Sequence, residues 1–213
     1  FCAALREERP DVIAATSPQF FTAIAGWAAS AVRGIPFVFE LGDLWPASIS
    51  AVGAMRKSLA LKLIEKLELF LYRRSTQIAA LTNSYKVNLS NRGIDKNKIS
   101  VVVNGVDLSR YKPRACDPDL SQKWGLENKF VVGYIGTHGM AHALSNVHNP
   151  AEIIQKNQTI CLLHVGAGAE RAGLVKEAKK RSLNNVIFMP RQPKELMPAI
   201  WSLCDVALVP LKN

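Results

Sequence analysis

Two glycines enclose a threonine and a histidine directly after an apolar run, in the stretch GYIGTHGMAHAL at residues 133–144. Gly136 and Gly139 carry no Cβ atom, so the backbone can approach a ligand closely there. The start of a following helix would present backbone N–H groups that attract phosphate. Three side chains of the stretch offer further donors: Thr137, His138 and His142. The order of strand, glycines and helix predicts a phosphate-binding turn.

The spacing of His138 and His142 also suits two metal ligands on one helix face. However, HGMAH lacks the glutamate of a zinc-peptidase helix, and no third ligand lies nearby in the sequence. We therefore expect no metal. A glycine-rich connector with surface histidines is the alternative without a ligand. His164 lies within an apolar run and is interpreted as a core residue.

A second glycine pair follows the next apolar run, in HVGAGAERAG at residues 164–173. Gly166 and Gly168 have the spacing of a dinucleotide-binding fingerprint, but Arg171 stands where its third glycine should be. The turn also does not open its domain, which argues against a nicotinamide dehydrogenase. The glycines still predict a close approach of the backbone to a ligand. Arg171 is either a phosphate partner or an exposed helical residue.

The stretch MPRQPKE, at residues 189–195, ends a third apolar run. Backbone groups near Met189 could read a base edge, and Arg191 could bind a phosphate. The alternative is a solvated arginine in a loop.

The first half of the chain carries one comparable stretch, ELGDLWPASIS at residues 40–50. Asp43 could accept hydrogen bonds from sugar hydroxyls, and Trp45 could offer a flat apolar face. Alternatively, Asp43 caps a turn and Trp45 fills a core. We favour a site, because loops at a sheet edge carry function more often than they carry a core.

Apolar runs that alternate with helical spacing predict the elements that position these residues. The predicted strands are 12–17, 36–41, 77–82 and 99–104, followed by 130–135, 160–165, 186–190 and 205–211. Helical stretches include 56–74, 170–181 and 194–204. The pattern predicts an α/β protein with two Rossmann-like parallel-sheet domains, both incomplete, at 1–113 and 129–213. The turn-rich segment 114–128 is interpreted as a linker.

Composition is that of a soluble globular protein, with 48% hydrophobic and 21% charged residues among 213. The net charge of +10 favours an anionic partner: nucleic acid, an anionic membrane surface or a phosphorylated ligand. The stretch RKSLALKLIEKLELFLYRRS, at 56–75, is basic and leucine-rich. It either lies against anionic lipid or packs on the sheet with a solvated basic face. The four cysteines form no CxxC pair, which is typical of reduced thiols in a cytosolic protein.

Together, these stretches resemble the family 4 glycosyltransferases of GT-B fold, and among them the bacterial amino-fucosyl transferases of O-antigen and colanic-acid assembly. The resemblance runs through nearly the whole chain and rests on PDVI…TSP, ELGDLWP, LTNSYK, ISVVVNGVDLSRYKP, GYIGTHGMAHAL, HVGAGAE, NVIFMPRQPKELMP and CDVALVPLK. NGVD with the later tyrosine and proline is fairly specific for the family. GTHGMAHAL together with DLWP is more specific for the subgroup.

The resemblance implies a retaining transfer from a nucleotide-sugar, with UDP as the expected nucleotide, to a saccharide or lipid-linked acceptor in a cleft between the domains, without cofactor or metal. The donor diphosphate would lie at Gly136, Thr137, His138 and Gly139, with the base near 189–191. The acceptor side would include Pro18, Asp43 and Trp45. The implied location is cytoplasmic, peripheral on the inner membrane, in cell-surface polysaccharide synthesis such as that of lipopolysaccharide.

Two departures from the family pattern concern the catalytic machinery. The arginine and lysine that many members place after the first donor-domain strand are replaced by histidines and backbone amides. The acidic motif expected after DVALVPLK would lie beyond Asn213, so no catalytic residue is assigned and this polypeptide alone is expected to be inactive.

Two alternatives stay open at this point. One is a GT-B nucleotide-sugar epimerase, which needs the donor site but no acceptor. The other is a non-catalytic nucleotide or nucleic-acid binding module, suggested by the charge. Against nucleic acid, the chain shows no RNP-like aromatic strand and no obvious helix-turn-helix.

Overall fold

The computed structural model describes residues 2–45 and 58–211. The chain divides into two compact units, Phe1–Gly105 and Val106–Asn213. The boundary therefore lies earlier than the predicted one. The segment 114–128 is not a linker, because Asp117 and Pro118 start a helix whose Trp124 packs against the core of the second unit. The side chain of Asp117 accepts a hydrogen bond from the backbone N–H of Leu120, as an N-cap does.

The first unit contains a sheet of four parallel strands in the order β1-β2-β3-β4. The strands are β1 Ile13–Ser17, β2 Phe37–Leu41, β3 Gln77–Ala80 and β4 Ile99–Val101. The helices are α1 Cys2–Arg6, α2 Phe20–Arg33, α3 Leu59–Arg74 and α4 Asn83–Asn91, with a 3₁₀ turn at Lys96–Lys98. Local signals set the helix limits: Ser58 and Thr82 cap α3 and α4, and Gly34 ends α2 in the left-handed conformation.

The buried core of the first unit is formed by alternate strand residues and by the inner face of α3. Phe37, Phe39 and Leu41 of β2 are at most 1% exposed, as are Leu71 and Tyr72 of α3. A polar group is buried with them: Glu68, which accepts hydrogen bonds from the hydroxyl of Tyr72 (2.6 Å) and from Arg92 (2.7 Å). These partners satisfy the carboxylate in the interior.

The second unit contains a second sheet of four parallel strands, in the order β7-β6-β5-β8. The strands are β5 Phe130–Ile135, β6 Ile160–Val165, β7 Val186–Met189 and β8 Val206–Ala207. The α-helices are α5 Pro118–Trp124, α6 His148–Ile154, α7 Arg171–Lys180 and α8 Met197–Ser202. The 3₁₀ turns are Met140–His142, Leu144–Val147 and Lys194–Leu196. The predicted fold class, an α/β protein with two parallel sheets, is confirmed.

The strand order of the second sheet reverses at β5. The chain moves from β5 to β6 and β7 on one side, and then returns to place β8 on the other side. In doubly wound sheets, ligands bind outside the carboxyl ends of the strands at such a reversal. None of the helices in the described residues combines the length and the hydrophobicity that a membrane span requires.

Candidate functional site

A pocket of about 670 Å³ lies at the carboxyl ends of β5, β6 and β7 in the second unit. Its volume is within the range that holds a small organic ligand. Loops from three strands contribute the lining: Ile135, Gly136, Thr137, Val165, Gly166, Ala167, Gly168, Arg191, Gln192, Pro193, Lys194 and Met197. The pocket therefore borders the strand at which the sheet order reverses.

Two glycines allow the loops after β5 and β6 to touch through their backbones. A Cβ atom on Gly166 would collide with the carbonyl oxygen of Gly136, and one on Gly168 would collide with that of His138. Hydrogen bonds close the contact: the N–H of Gly136 donates to Val165 O (3.0 Å). We predicted that these glycines bring the backbone close to a ligand. They line the pocket, but what they approach most closely is the neighbouring loop.

Several backbone amides that line the pocket have no internal acceptor. Within residues 2–45 and 58–211, no hydrogen bond is formed by the N–H groups of Thr137, Ala167 and Gly168. Thr137, Ala167 and Gly168 are exposed at the pocket, so their N–H groups are open to an anionic ligand.

Two cations also line the pocket. Arg191 was predicted as a phosphate partner, and Lys194 follows it on the first 3₁₀ position after Pro193. Both side chains are exposed, and neither forms an ion pair within the described part of the chain. Sequence reasoning missed Lys194, although its place three residues after Arg191 was a usable signal. Amides and cations together favour an anionic group such as a diphosphate.

The imidazole of His138 does not reach the pocket, contrary to its predicted role as a donor to phosphate. It is 0% exposed and packs near the rings of Tyr134 (5.8 Å) and His164 (6.0 Å). Nor does a helix begin after Gly139, as predicted. The chain forms two 3₁₀ turns, separated by Ala143 in the left-handed conformation, and α6 starts only at His148. Of this turn, Gly136 and Thr137 line the pocket, and Thr137 is the one of the two whose N–H has no acceptor among the described residues.

All four histidines of the chain lie in one group of rings around Tyr134 and Phe188. Burial lowers the pKa of His164 to about 3, with smaller contributions from the neighbouring His138 and His148. Burial also lowers the pKa of His138, and Arg171 and His142 act in the same direction. Both imidazoles are therefore neutral near pH 7. Among the described residues, no group of three potential ligands is arranged to hold a metal ion.

Three other predicted donor-site residues lie near the pocket without lining it. Met189 packs against the core, and its carbonyl accepts a hydrogen bond from the N–H of Gly166 (3.1 Å). Arg171 begins α7, where its buried Nε has no acceptor in the described structure. His142 is half-buried against Tyr134, with ring centroids 5.9 Å apart.

The predicted acceptor-side residues come together in the first unit, at the carboxyl ends of β1 and β2. The hydroxyl of Ser17, which precedes Pro18, donates to the carbonyl of Asp43 (3.0 Å) and accepts from its N–H (3.3 Å). Trp45 is half-buried against Phe20, with ring centroids 5.1 Å apart. Since that packing places Trp45 against the core cluster, the structure favours the alternative role of Trp45 as a packing residue. Residues 46–50 of the same stretch lie outside the described residues.

The family model described as "Glycosyltransferase Family 4" matches residues 2–110, which is half of the chain. The chain belongs to glycosyltransferase family 4. The matched part is the first unit and the first residues of the second, so the family assignment does not depend on the pocket itself.

Two curated relatives of this family 4 chain are from Escherichia coli. One, of strain K12, is named as a colanic acid biosynthesis glycosyl transferase, WcaI, and is 25% identical over 218 residues, covering 99% of this chain and 53% of the relative. The other is the UDP-Gal:alpha-D-GlcNAc-diphosphoundecaprenol alpha-1,3-galactosyltransferase, 32% identical over 136 residues, covering 62% of this chain and 33% of the relative. The chain thus spans about half the length of the first relative and a third of the second.

Solved structures share the fold. Anabaena HepE in complex with UDP and glucose superposes with a TM-score of 0.73 at 20% identity, covering 92% of this chain and 51% of that one. A UDP-N-acetylglucosamine 2-epimerase superposes with a TM-score of 0.61 at 13% identity, covering 96% and 51%. At these identities the likeness shows the fold alone. It agrees with the predicted GT-B class.

Proposed function

We propose that this family 4 protein is a retaining glycosyltransferase that takes a sugar from a UDP-linked donor held in the pocket of the second unit. The acceptor in this proposal is a lipid-linked saccharide used in cell-surface polysaccharide synthesis. One observation carries the proposal: unpaired amides and two unpaired cations line one pocket where the sheet order reverses.

The chemistry of glycosyl transfer explains why such a pocket is useful. The reacting sugar passes through an oxocarbenium-like state while the leaving diphosphate gains negative charge. Fixed N–H donors and cations stabilise that charge without reorganising, and a single such donor contributes about 3 kcal/mol in other enzymes. Thr137, Ala167 and Gly168 would supply amides, and Arg191 and Lys194 would supply charge. No metal or cofactor is needed in this scheme.

The names of the relatives support the finer parts of the proposal. The galactosyltransferase is named for a UDP-linked donor and a diphosphoundecaprenol-linked acceptor, and HepE was crystallised with UDP. The apolar residues Ile135, Val165 and Met197 in the pocket offer a surface for the flat base beside the diphosphate site.

Binding of UDP to the chain tests the donor site directly. Titration calorimetry should detect UDP binding, weaker binding of UMP, and little binding of uridine. Arg191→Ala and Lys194→Ala should each weaken UDP binding by about tenfold, since each removes a charge-assisted contact.

Lys180→Ala is the matched control. It removes the same charge from the last residue of α7, which lies at the opposite edge of the sheet from the pocket. Equal losses in all three variants would mean that UDP responds only to overall charge. Tight, strongly salt-dependent binding of single-stranded DNA would favour the nucleic-acid module instead.

We further propose that α3 attaches the protein to the cytoplasmic face of an anionic membrane. Leu59, Leu63 and Leu67 are 80%, 65% and 36% exposed and lie on one side of the helix. Lys62 and Lys66 are exposed between them. Leucines flanked by lysines are typical of a helix that lies in a lipid interface. The carboxyl-terminal end of α3 packs on the core through Leu71 and Tyr72, so the proposed membrane surface is the amino-terminal part of the helix.

Vesicle flotation tests the membrane proposal. The protein should float with vesicles that contain phosphatidylglycerol. With vesicles of phosphatidylcholine alone, it should remain in the bottom fractions of the gradient. Leu63→Gln and the pair Lys62→Glu with Lys66→Glu should each reduce flotation. The matched pair Lys179→Glu with Lys180→Glu on α7 should not, and equal loss there would contradict a surface on α3.

The epimerase alternative shares the fold and the donor pocket. Product analysis with a UDP-sugar separates the two activities. Conversion of the UDP-sugar to its epimer without any acceptor would favour the epimerase, whereas acceptor-dependent release of UDP would favour the transferase.

A further inference from the structure

The backbone of His138 connects the two loops that carry the unpaired amides of the pocket. Its backbone N–H donates to Ala167 O (2.9 Å), and its carbonyl accepts from the N–H of Glu170 (3.0 Å). Both partners belong to the loop after β6, while His138 itself belongs to the loop after β5. Through its N–H and its carbonyl, the backbone of His138 therefore connects the loop after β5 to the loop after β6.

The side chain of His138 is held in place by the aromatic and histidine rings around it. It is 0% exposed and lies near the rings of Tyr134, His164 and Phe188, at centroid distances of 5.8, 6.0 and 6.4 Å. These rings project from β5, β6 and β7, so the imidazole is held by all three strands whose ends form the pocket.

We propose that His138 is a positioning residue: its buried ring fixes the two amide-bearing loops relative to the strands, without touching the ligand. The effect on nucleotide binding rests on the function proposed above. The effect on the loops does not.

The two loops are in such close backbone contact that His138 cannot move without moving Gly168. Gly168 passes so close to the carbonyl of His138 that a Cβ atom would not fit. A shift of the His138 backbone must therefore be passed to Gly168 and to the amides beside it. Shifts of about 1 Å at a binding site are enough to cost large factors in affinity or rate.

What the imidazole contributes is ring volume and packing. Neither nitrogen of His138 has a hydrogen-bond partner among the described residues. An apolar ring of similar size should therefore replace it, whereas a truncation should release the loops.

His148 provides a matched control within the same cluster. It is also 0% exposed and also faces Phe188, at a centroid distance of 6.5 Å. Its backbone N–H bonds to Ser145 rather than to the loop after β6. Truncating it creates a comparable cavity in the core but leaves the backbone hydrogen bonds of His138 to Ala167 and Glu170 in place.

The experiment compares His138→Ala, His138→Phe and His148→Ala in the full chain, by deuterium exchange without ligand and by UDP titration. In His138→Ala, exchange of the His138-position and Glu170 amides should accelerate and UDP affinity should fall, each by about tenfold or more. His138→Phe should restore both to within about threefold. His148→Ala should lower the melting temperature about as much as His138→Ala, with exchange of these amides and affinity nearly unchanged.

Parental exchange in His138→Ala, or equal acceleration in His148→Ala, would overturn the proposal. If His138→Ala does not fold, His138→Val is the milder truncation, and accelerated exchange with weaker UDP binding is expected of it in the same two measurements. If exchange responds as expected but the parental chain does not bind UDP, the positioning role stands and the proposed function fails.

Discussion

The carboxyl ends of the two sheets are built from the same kind of loops, but they leave different amounts of room. In the second unit the pocket at this edge measures about 670 Å³. In the first unit a pocket at the ends of β2, β3 and β4 measures about 260 Å³. The charged side chain among its described lining residues is the acidic Glu40, whereas Arg191 and Lys194 line the larger pocket.

Strand order explains the difference. The described strands of the first sheet follow one another as β1-β2-β3-β4, so neighbouring loops lie side by side and pack together. Ser17 bonds to Asp43, and Phe20 packs on Trp45. In the second sheet the order reverses at β5, and the pocket lies outside the carboxyl ends of β5, β6 and β7, at the sheet edge where doubly wound proteins bind ligands. The larger pocket, its glycines and its two cations thus occur at the sheet whose strand order reverses.

The largest expected effect belongs to the first unit and should leave the pocket untouched. Glu68→Ala removes the buried acceptor of Tyr72 and Arg92 and should cost about 3 kcal/mol of the free energy of unfolding of that unit. Deuterium exchange of the β2 and β3 amides, measured at increasing denaturant concentration, gives this free energy of unfolding. UDP affinity should stay unchanged, and a large loss of affinity would show that the two sheet edges are not independent.

Gly168→Ala should weaken UDP binding by about 100-fold, because its Cβ atom would collide with the carbonyl oxygen of His138 and push the two loops apart. Calorimetry measures the loss. Gly173→Ala in the same unit and Gly105→Ala in the first are controls, since a Cβ atom at either meets no other atom within 4 Å. Normal binding by Gly168→Ala would remove the geometric basis of the pocket.

Acidification should destabilise the second unit selectively, since all four histidines belong to it. The pKa of His138 and of His164 is lower in the folded state than in the unfolded state, mainly through burial. The groups that face them are Arg171, His142 and His148. The unfolded chain therefore binds more protons, and stability is lost as the pH falls below about 6.5. For His164, whose pKa is about 3, the loss is about 1.4 kcal/mol per pH unit between those values.

The measurement is denaturation of the parental chain and of His164→Met between pH 7 and pH 5. The variant should lose stability less steeply than the parent, because it lacks one histidine that is buried in the neutral form. Identical slopes would contradict the lowered pKa of His164.

The smallest effect is expected at Thr137. Its hydroxyl forms no hydrogen bond among the described residues, and its backbone N–H is the group assigned to the ligand. Thr137→Ala keeps that N–H and should weaken UDP binding by about twofold or less. A loss of tenfold would show that the hydroxyl, as the sequence suggested, is itself a donor.

Sequence patterns located most of the elements because a buried parallel strand is a continuous apolar run. β5 and β6 have their predicted bounds, each ending at a glycine that stops the run. The edge strands β4 and β8 are shorter than predicted: 99–104 and 205–211 were expected, and the strands span Ile99–Val101 and Val206–Ala207. Strand length at the edge of a sheet depends on the partner strand, which a local pattern does not contain.

By itself, the sequence determined the fold class and the three strand ends that border the pocket, because apolar runs, glycines and cations are local signals; the family came from the resemblance of its motifs to known glycosyltransferases. Only the tertiary structure decided which groups face the pocket. It placed Lys194 there, turned the ring of His138 inward, and showed that Gly168 is needed for contact with a neighbouring loop. The direction of a side chain at a turn depends on the packing of distant strands, and that information is absent from the turn's own residues.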